Sequence, residues 1–131
     1  MNDLEKLLAL EEIRTLKARY FRCIDTKSFD ELATVFAPDA VFDFREANRD
    51  PVLGNPRGTV EPEPVEGQAN IIAAIAEALK TAQSAHHGHM PEIELTSDTT
   101  AKGIWPMEDV VLIGDFALIC SKLDQVVQGL C

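Results

Sequence analysis

The sequence predicts an α+β domain in which helices pack on one face of a curved, mostly antiparallel sheet to form a cone with an interior pocket. Three observations carry this expectation. Apolar residues recur at steps of three and four through residues 4–24 and again through 68–81, the spacing of a helix with one buried stripe. Strand-like stretches follow at 85–95 and 100–112, joined by the polar turn Thr96-Ser97-Asp98-Thr99. The helical stretches come before the hairpin-linked strands instead of alternating with them, which argues against a parallel sheet. At 131 residues the chain suits one domain on a prior of roughly 150 residues each. With 46% apolar and 26% charged residues it has the balance of a folded globular protein.

Each element has a local reason. In the first helix Leu10, Ile13, Leu16, Tyr20 and Ile24 share a stripe, and Arg14, Lys17 and Arg22 read as solvated side chains. That helix is expected to stop near Asp25. Ser28, with Glu31 three residues on, has the form of a capping box for a second, shorter helix carrying Leu32, Val35 and Phe36. Pro38-Asp39 separates it from a strand over 40–44. Four of the seven prolines fall between residues 45 and 66, so this stretch reads as a long loop, either a surface insertion or a cover over a site. The third helix, over 68–81, has Ile72, Ile75 and Leu79 spaced for burial. From residue 115 onward Phe116, Ile119, Cys120, Leu123, Val127 and Leu130 again have helical spacing.

Composition excludes several classes of function. With 12 basic against 22 acidic residues the net charge is −10, which disfavours nucleic acid and acidic membranes and favours a neutral or apolar ligand. The charge-free stretches 67–76 and 81–91 are far shorter than the ~18 apolar residues of a membrane span. The start Met1-Asn2-Asp3-Leu4-Glu5-Lys6 lacks the basic-then-apolar order of a secretory signal, so a cytoplasmic location is expected. Cys23, Cys120 and Cys131 are widely spaced and form no CxxC pair, so reduced thiols are expected, with neither a disulfide framework nor a zinc site.

Three places carry residues suited to acid/base work. Trp105, Met107, Asp109 and Val111 share one strand face, and one of the four is a carboxylate. If that face is interior, Asp109 needs a partner, with a histidine the obvious one, or must stay protonated; if it lies at a strand end, it meets water. His86-His87-Gly88-His89 holds every histidine in the chain, and imidazole suits proton transfer near neutral pH. Strict alternation puts His87 and His89 on the face of Ile93 and Leu95, and His86 joins them only if the pleat resets near Pro91. No metal triad completes the cluster, and no metal is expected. Asp25 opposes the macrodipole at a helix end unless it serves the turn or a site. Tyr20 is either a core ring with a satisfied hydroxyl or a donor to a substrate carbonyl.

The string Lys17-Ala18-Arg19-Tyr20-Phe21-Arg22-Cys23-Ile24-Asp25, with His86-His87-Gly88-His89-Met90-Pro91-Glu92-Ile93 and Gly103-Ile104-Trp105-Pro106-Met107-Glu108-Asp109, resembles the SnoaL-like branch of the nuclear transport factor 2 superfamily. Within it the bile acid 7-alpha-dehydratases are the closest match. The resemblance implies a cystatin-like cone and cofactor-free acid/base chemistry on a hydrophobic polycyclic carbonyl compound such as a steroid or polyketide, by a dehydratase (lyase) or ketosteroid-isomerase-like reaction. It places the family's catalytic residues on Tyr20, Asp25, His86 and Asp109, with Asp109 pairing with His86, and makes Phe21, Ile24, His89, Trp105 and Met107 substrate contacts. No cofactor is implied. The alternative is a non-catalytic binding or assembly module of the same fold. Family members continue for a further pair of strands, so residues 115–131 depart from the pattern. The cone is expected to be incomplete there and covered by a terminal helix or by a homo-oligomer, a dimer or trimer.

Overall fold

A computed structural model describes residues 1–45 and 63–129, with the backbone alone for 120–129. The chain opens with α1, Asp3–Asp25. Asn2 and Glu5 cap it reciprocally: Asn2 Oδ1 accepts from the Glu5 N–H at 2.9 Å, and Glu5 Oε2 accepts from the Asn2 N–H at 2.6 Å. Ala9, Ile13 and Lys17, one turn apart, form the buried stripe of its first half, and Cys23 and Ile24 that of its second.

The second helix, α2, spans Phe29–Ala33 and starts after Ser28 as expected, but not by the expected cap. The Ser28 hydroxyl lies 2.8 Å from Thr26 Oγ1 instead. The strands β1 (Val41–Phe42) and β2 (Val65–Glu66) pair antiparallel, so the end of the segment expected to be loop is strand. The rest of the expected loop, 46–62, lies outside the described residues. α3 covers Gln68–Ala78 and follows Gly67, whose φ of 85° suits a residue without a Cβ. Gln68 Nε2 donates to the carbonyls of Ala33 and Phe36 at 2.6 and 3.0 Å, tying α3 to the end of α2. Leu32 and Ile71, both fully buried, join Cys23, Ile24 and Ile75 in the core among the three helices. Each of the Leu and Ile side chains among them contributes about 1.5–3 kcal/mol on burial.

The main sheet is antiparallel: β3 (Ala82–Gly88), β4 (Glu92–Leu95), β5 (Thr100–Ile113) and β6 (Phe116–Gly129), with β5 pairing all the others. The 3.6-residue spacing over 116–130 had pointed to a helix. The chain there is instead strand β6, paired with β5 along its whole length from Thr100↔Gly129 to Ile113↔Phe116. Apolar residues in steps of three and four do not exclude a strand when a long partner offers a complete ladder of backbone bonds. The sheets are not closed. Among the described residues, β6 pairs with β5 alone.

One face of the sheet lies under α1. Alternate residues of β5, from Ala101 through Gly103, Trp105 and Met107 to Asp109, are buried, while Lys102 and Glu108 on the opposite face are exposed. Ile13 of α1 packs with Ala101 and Trp105, with Ile93 and Leu95 of β4 alongside. Among the described residues no helix is long and apolar enough to cross a membrane.

Candidate active site

The register settles which histidine lies under the helix. His86 is opposite Asp109 on β5, Gly88 opposite Met107, and Ile93 opposite Gly103, so His86 and Ile93 share a face although their numbers differ in parity. Residues 89–91 interrupt the two strands and shift the alternation by one. The His89 N–H donates to the Pro106 carbonyl at 2.8 Å across this break. His87 consequently faces Glu108 on the outer side. The His89 ring, 59% exposed, lies 3.7 Å from Glu108 and is not brought to the others.

His86 is oriented by the end of α1. Its Nδ1 lies 2.6 Å from Asp25 Oδ1, and its backbone N–H donates to Asp25 Oδ2 at 2.9 Å. The Ser84 hydroxyl donates to Asp25 Oδ1 at 2.9 Å. The sequence had suggested Asp109 as the carboxylate paired with His86, but Asp25 makes the bond. Helix α1 ends directly over β3, which places residue 25 at a strand edge whose outward N–H needs an acceptor. Three donors converge on Asp25, which offsets its unfavourable place at a helix carboxyl end. A carboxylate bonded at Nδ1 fixes the tautomer of a neutral imidazole with its proton there and leaves Nε2 as the acceptor.

Asp109 is close by a different route. Because the His86 N–H points to Asp25 and not to β5, the pair His86↔Asp109 is the non-hydrogen-bonded kind, in which facing side chains approach most closely. Asp109 is 6% exposed. Trp105 and Met107, each 4% exposed, continue its face. Phe21 stacks on the His86 ring, 6.1 Å between centroids at an interplanar angle of 15°. Gly88 leaves room for this, since a Cβ there would stand 2.3 Å from Phe21 Cε2. Tyr20 meets Phe21 edge-on at 5.7 Å and Phe36 at 5.9 Å. Ile24 packs in the core among the helices.

Two residues escaped the sequence. Ser84 carried no signal beyond its place two residues before His86. Lys17 was read as solvated, but it is 7% exposed, with Nζ 4.5 Å from the Tyr20 centroid, 5.0 Å from Phe21 and 5.7 Å from Trp105. Its place on the apolar stripe, four residues after Ile13, was the available clue. Among the described residues no group of three or more His, Cys, Asp or Glu side chains could hold a metal ion. A shallow depression of about 380 Å³ lies elsewhere, along residues 27–31 at the start of α2.

A histidine held by a helix-end carboxylate, stacked under Phe21 and on the covered face of an open antiparallel sheet, marks a class of small α+β domains. The chain belongs to the SnoaL-like domain family, whose sequence profile matches residues 5–127. Solved structures share this fold. A hexachlorocyclohexane dehydrochlorinase, LinA-type3 from Novosphingobium barchaimii, superposes with a TM-score of 0.74 at 14% identity, over 98% of this chain and 86% of that one. A protein assigned as a scytalone dehydratase from Novosphingobium aromaticivorans gives 0.67 at 19% identity, over 98% and 78%. ActVI-ORFA from Streptomyces coelicolor gives 0.65 at 16% identity, over 91% and 83%. At these identities the likeness is one of fold.

Proposed function

We propose that the protein is a cofactor-free acid/base lyase, a dehydratase or a closely related isomerase, acting on a hydrophobic polycyclic carbonyl compound such as a steroid or polyketide. The observation that carries this reading is the 2.6 Å contact between His86 Nδ1 and Asp25 Oδ1 on the covered face of the sheet. In the proposed reaction His86 Nε2 takes the proton from the carbon beside the carbonyl. The electron pair moves into the carbonyl to form an enolate, whose oxygen accepts a hydrogen bond from Tyr20. Collapse of the enolate expels the hydroxyl on the next carbon. That hydroxyl takes the proton from the imidazolium and leaves as water, so a conjugated enone remains and His86 is neutral again. Returning the proton to a different carbon would make the same site an isomerase.

Asp25 holds the ring and balances the imidazolium, and the nearby Asp109 adds to that balance. Phe21, Trp105 and Met107 supply apolar surface. Ile24, in the core among the helices, and His89, exposed beside Glu108, have no direct part in this scheme. The relatives named dehydratase and dehydrochlorinase support the reading because both names denote eliminations. The three sequence strings given above support a kinship with bile acid 7-alpha-dehydratases. A homo-oligomer is also part of the proposal: Phe116 and Ile119, 78% and 75% exposed, offer apolar surface near the hairpin between β5 and β6. Light scattering that shows a monomer would remove this part.

The test is incubation with a panel of β-hydroxy ketosteroids and polyketides, following enone absorbance. Turnover that falls on the order of 10²-fold or more in His86→Ala is expected. Full activity in that variant would discard the assignment. Tight binding without turnover anywhere in the panel would favour a binding module.

A further inference from the structure

Lys17 is an expensive residue where it stands. It occupies a helix position between Ile13 and Tyr20 that faces the sheet, and an apolar side chain there would avoid the cost of drawing an ammonium out of water. Three aromatic rings offset part of that cost, two from α1 and one from β5, with centroids 4.5, 5.0 and 5.7 Å from Nζ. The cage is itself built with care. Trp105 can lie over β5 because residue 103 is glycine, where a Cβ would stand 2.2 Å from Trp105 Cζ3. Tyr20, the nearest of the three rings, is the only one with an ionisable group.

We propose that Lys17 is a positioning residue for Tyr20, its caged ammonium supporting negative charge on the phenol oxygen and on a substrate oxygen bonded to it. The attraction between opposite charges falls only as the inverse of distance, and is strong where water is excluded. The substrate class that benefits is one whose reacting oxygen gains charge, an enolate or a phenolate, over one that stays neutral. The inference rests on the elimination reading for the use made of Tyr20, but the effect on Tyr20 itself does not.

Tyr20 packs against the core cluster that holds Cys23, and the titratable groups on the neighbouring stretches are Asp25 at the end of α1, His86 on β3 and Asp109 on β5. Helices α2 and α3 meet Tyr20 through the core that contains Leu32, Ile71 and Ile75. All of these remain when Lys17 alone is changed.

Tyr20 is the one tyrosine of the chain, so phenolate absorbance reports on it without labelling. In Lys17→Met the phenolate is expected to form about one pH unit or more above the wild type, and Lys17→Arg should restore the wild-type position. Superimposable titrations of wild type and Lys17→Met, or an Arg variant that follows Met, would overturn the proposal. If Lys17→Met does not fold by circular dichroism, Lys17→Gln takes its place. In the wild type alone, a phenolate that forms only as the fold is lost also overturns it. None of these readings needs a substrate, so failure here is distinct from failure of the elimination reading. Where turnover is found, Lys17→Met should lower kcat on the order of tenfold with little change in KM, whereas a loss of packing would spread to both.

Discussion

His86 and Asp25 are joined twice, ring to Oδ1 at 2.6 Å and backbone N–H to Oδ2 at 2.9 Å, so one carboxylate fixes both the strand and the imidazole it carries. Asp25→Asn cannot reproduce this. An amide has one acceptor oxygen, and its NH₂ must face one of the three donors that now converge on Asp25. The expected outcome is a fall in kcat on the order of 10²-fold for any substrate the wild type turns over. Nitrogen NMR of the His86 ring should show a change of tautomer, and an unchanged tautomer would contradict the positioning role.

Ser84→Ala removes one donor from Asp25 and leaves the bonds to His86 in place. A hydrogen bond to a charged group contributes about 1.5–3 kcal/mol, and partial exposure puts this one at the lower end. Urea unfolding should show a loss of about 1–2 kcal/mol, with activity falling less than in Asp25→Asn.

Gly103→Ala puts a methyl group where the Trp105 ring now lies, 2.2 Å from Cζ3. The ring must move, and overpacking of this kind costs about 1–3 kcal/mol. Trp105 is the only tryptophan, so the displacement should appear as a change in emission maximum together with a lower melting temperature. An unchanged spectrum would mean that the ring does not lie over Gly103.

Arg22 grips Glu31 with both terminal guanidinium nitrogens, and chiefly through these hydrogen bonds it holds the Glu31 carboxyl below the ordinary value. A lowered folded-state value contributes stability that is present above the unfolded value of about 4.3 and is lost as pH falls through the folded one. The melting temperature of the wild type should therefore exceed that of Glu31→Gln at pH 6, and the gap should close as the solution is acidified below about pH 4. Both side chains are exposed, so the gap should be small and should shrink with salt.

Much of the site was legible. Asp25 at the end of the first helix, the single histidine cluster and an acid among apolar residues on one strand face were all visible in the sequence, and folding sets Asp25 against His86 and Asp109 opposite it. The partner of His86 was not, because it depends on where α1 ends relative to β3, a tertiary fact that no local pattern encodes. Lys17 was misread for a related reason. The rings that make its burial tolerable include Trp105, which only folding brings near. The strand at 116–129 was hidden because its apolar residues fit a helical period, and pairing with β5 outweighed it.

The break at residues 89–91 makes chain length a functional variable. Were the connection one residue shorter, with β3 held in place, Glu92 and Glu94 would turn toward α1 while Ile93 and Leu95 turned to solvent. Descendants of this gene can therefore exchange residues at this bend far more freely than they can gain or lose one.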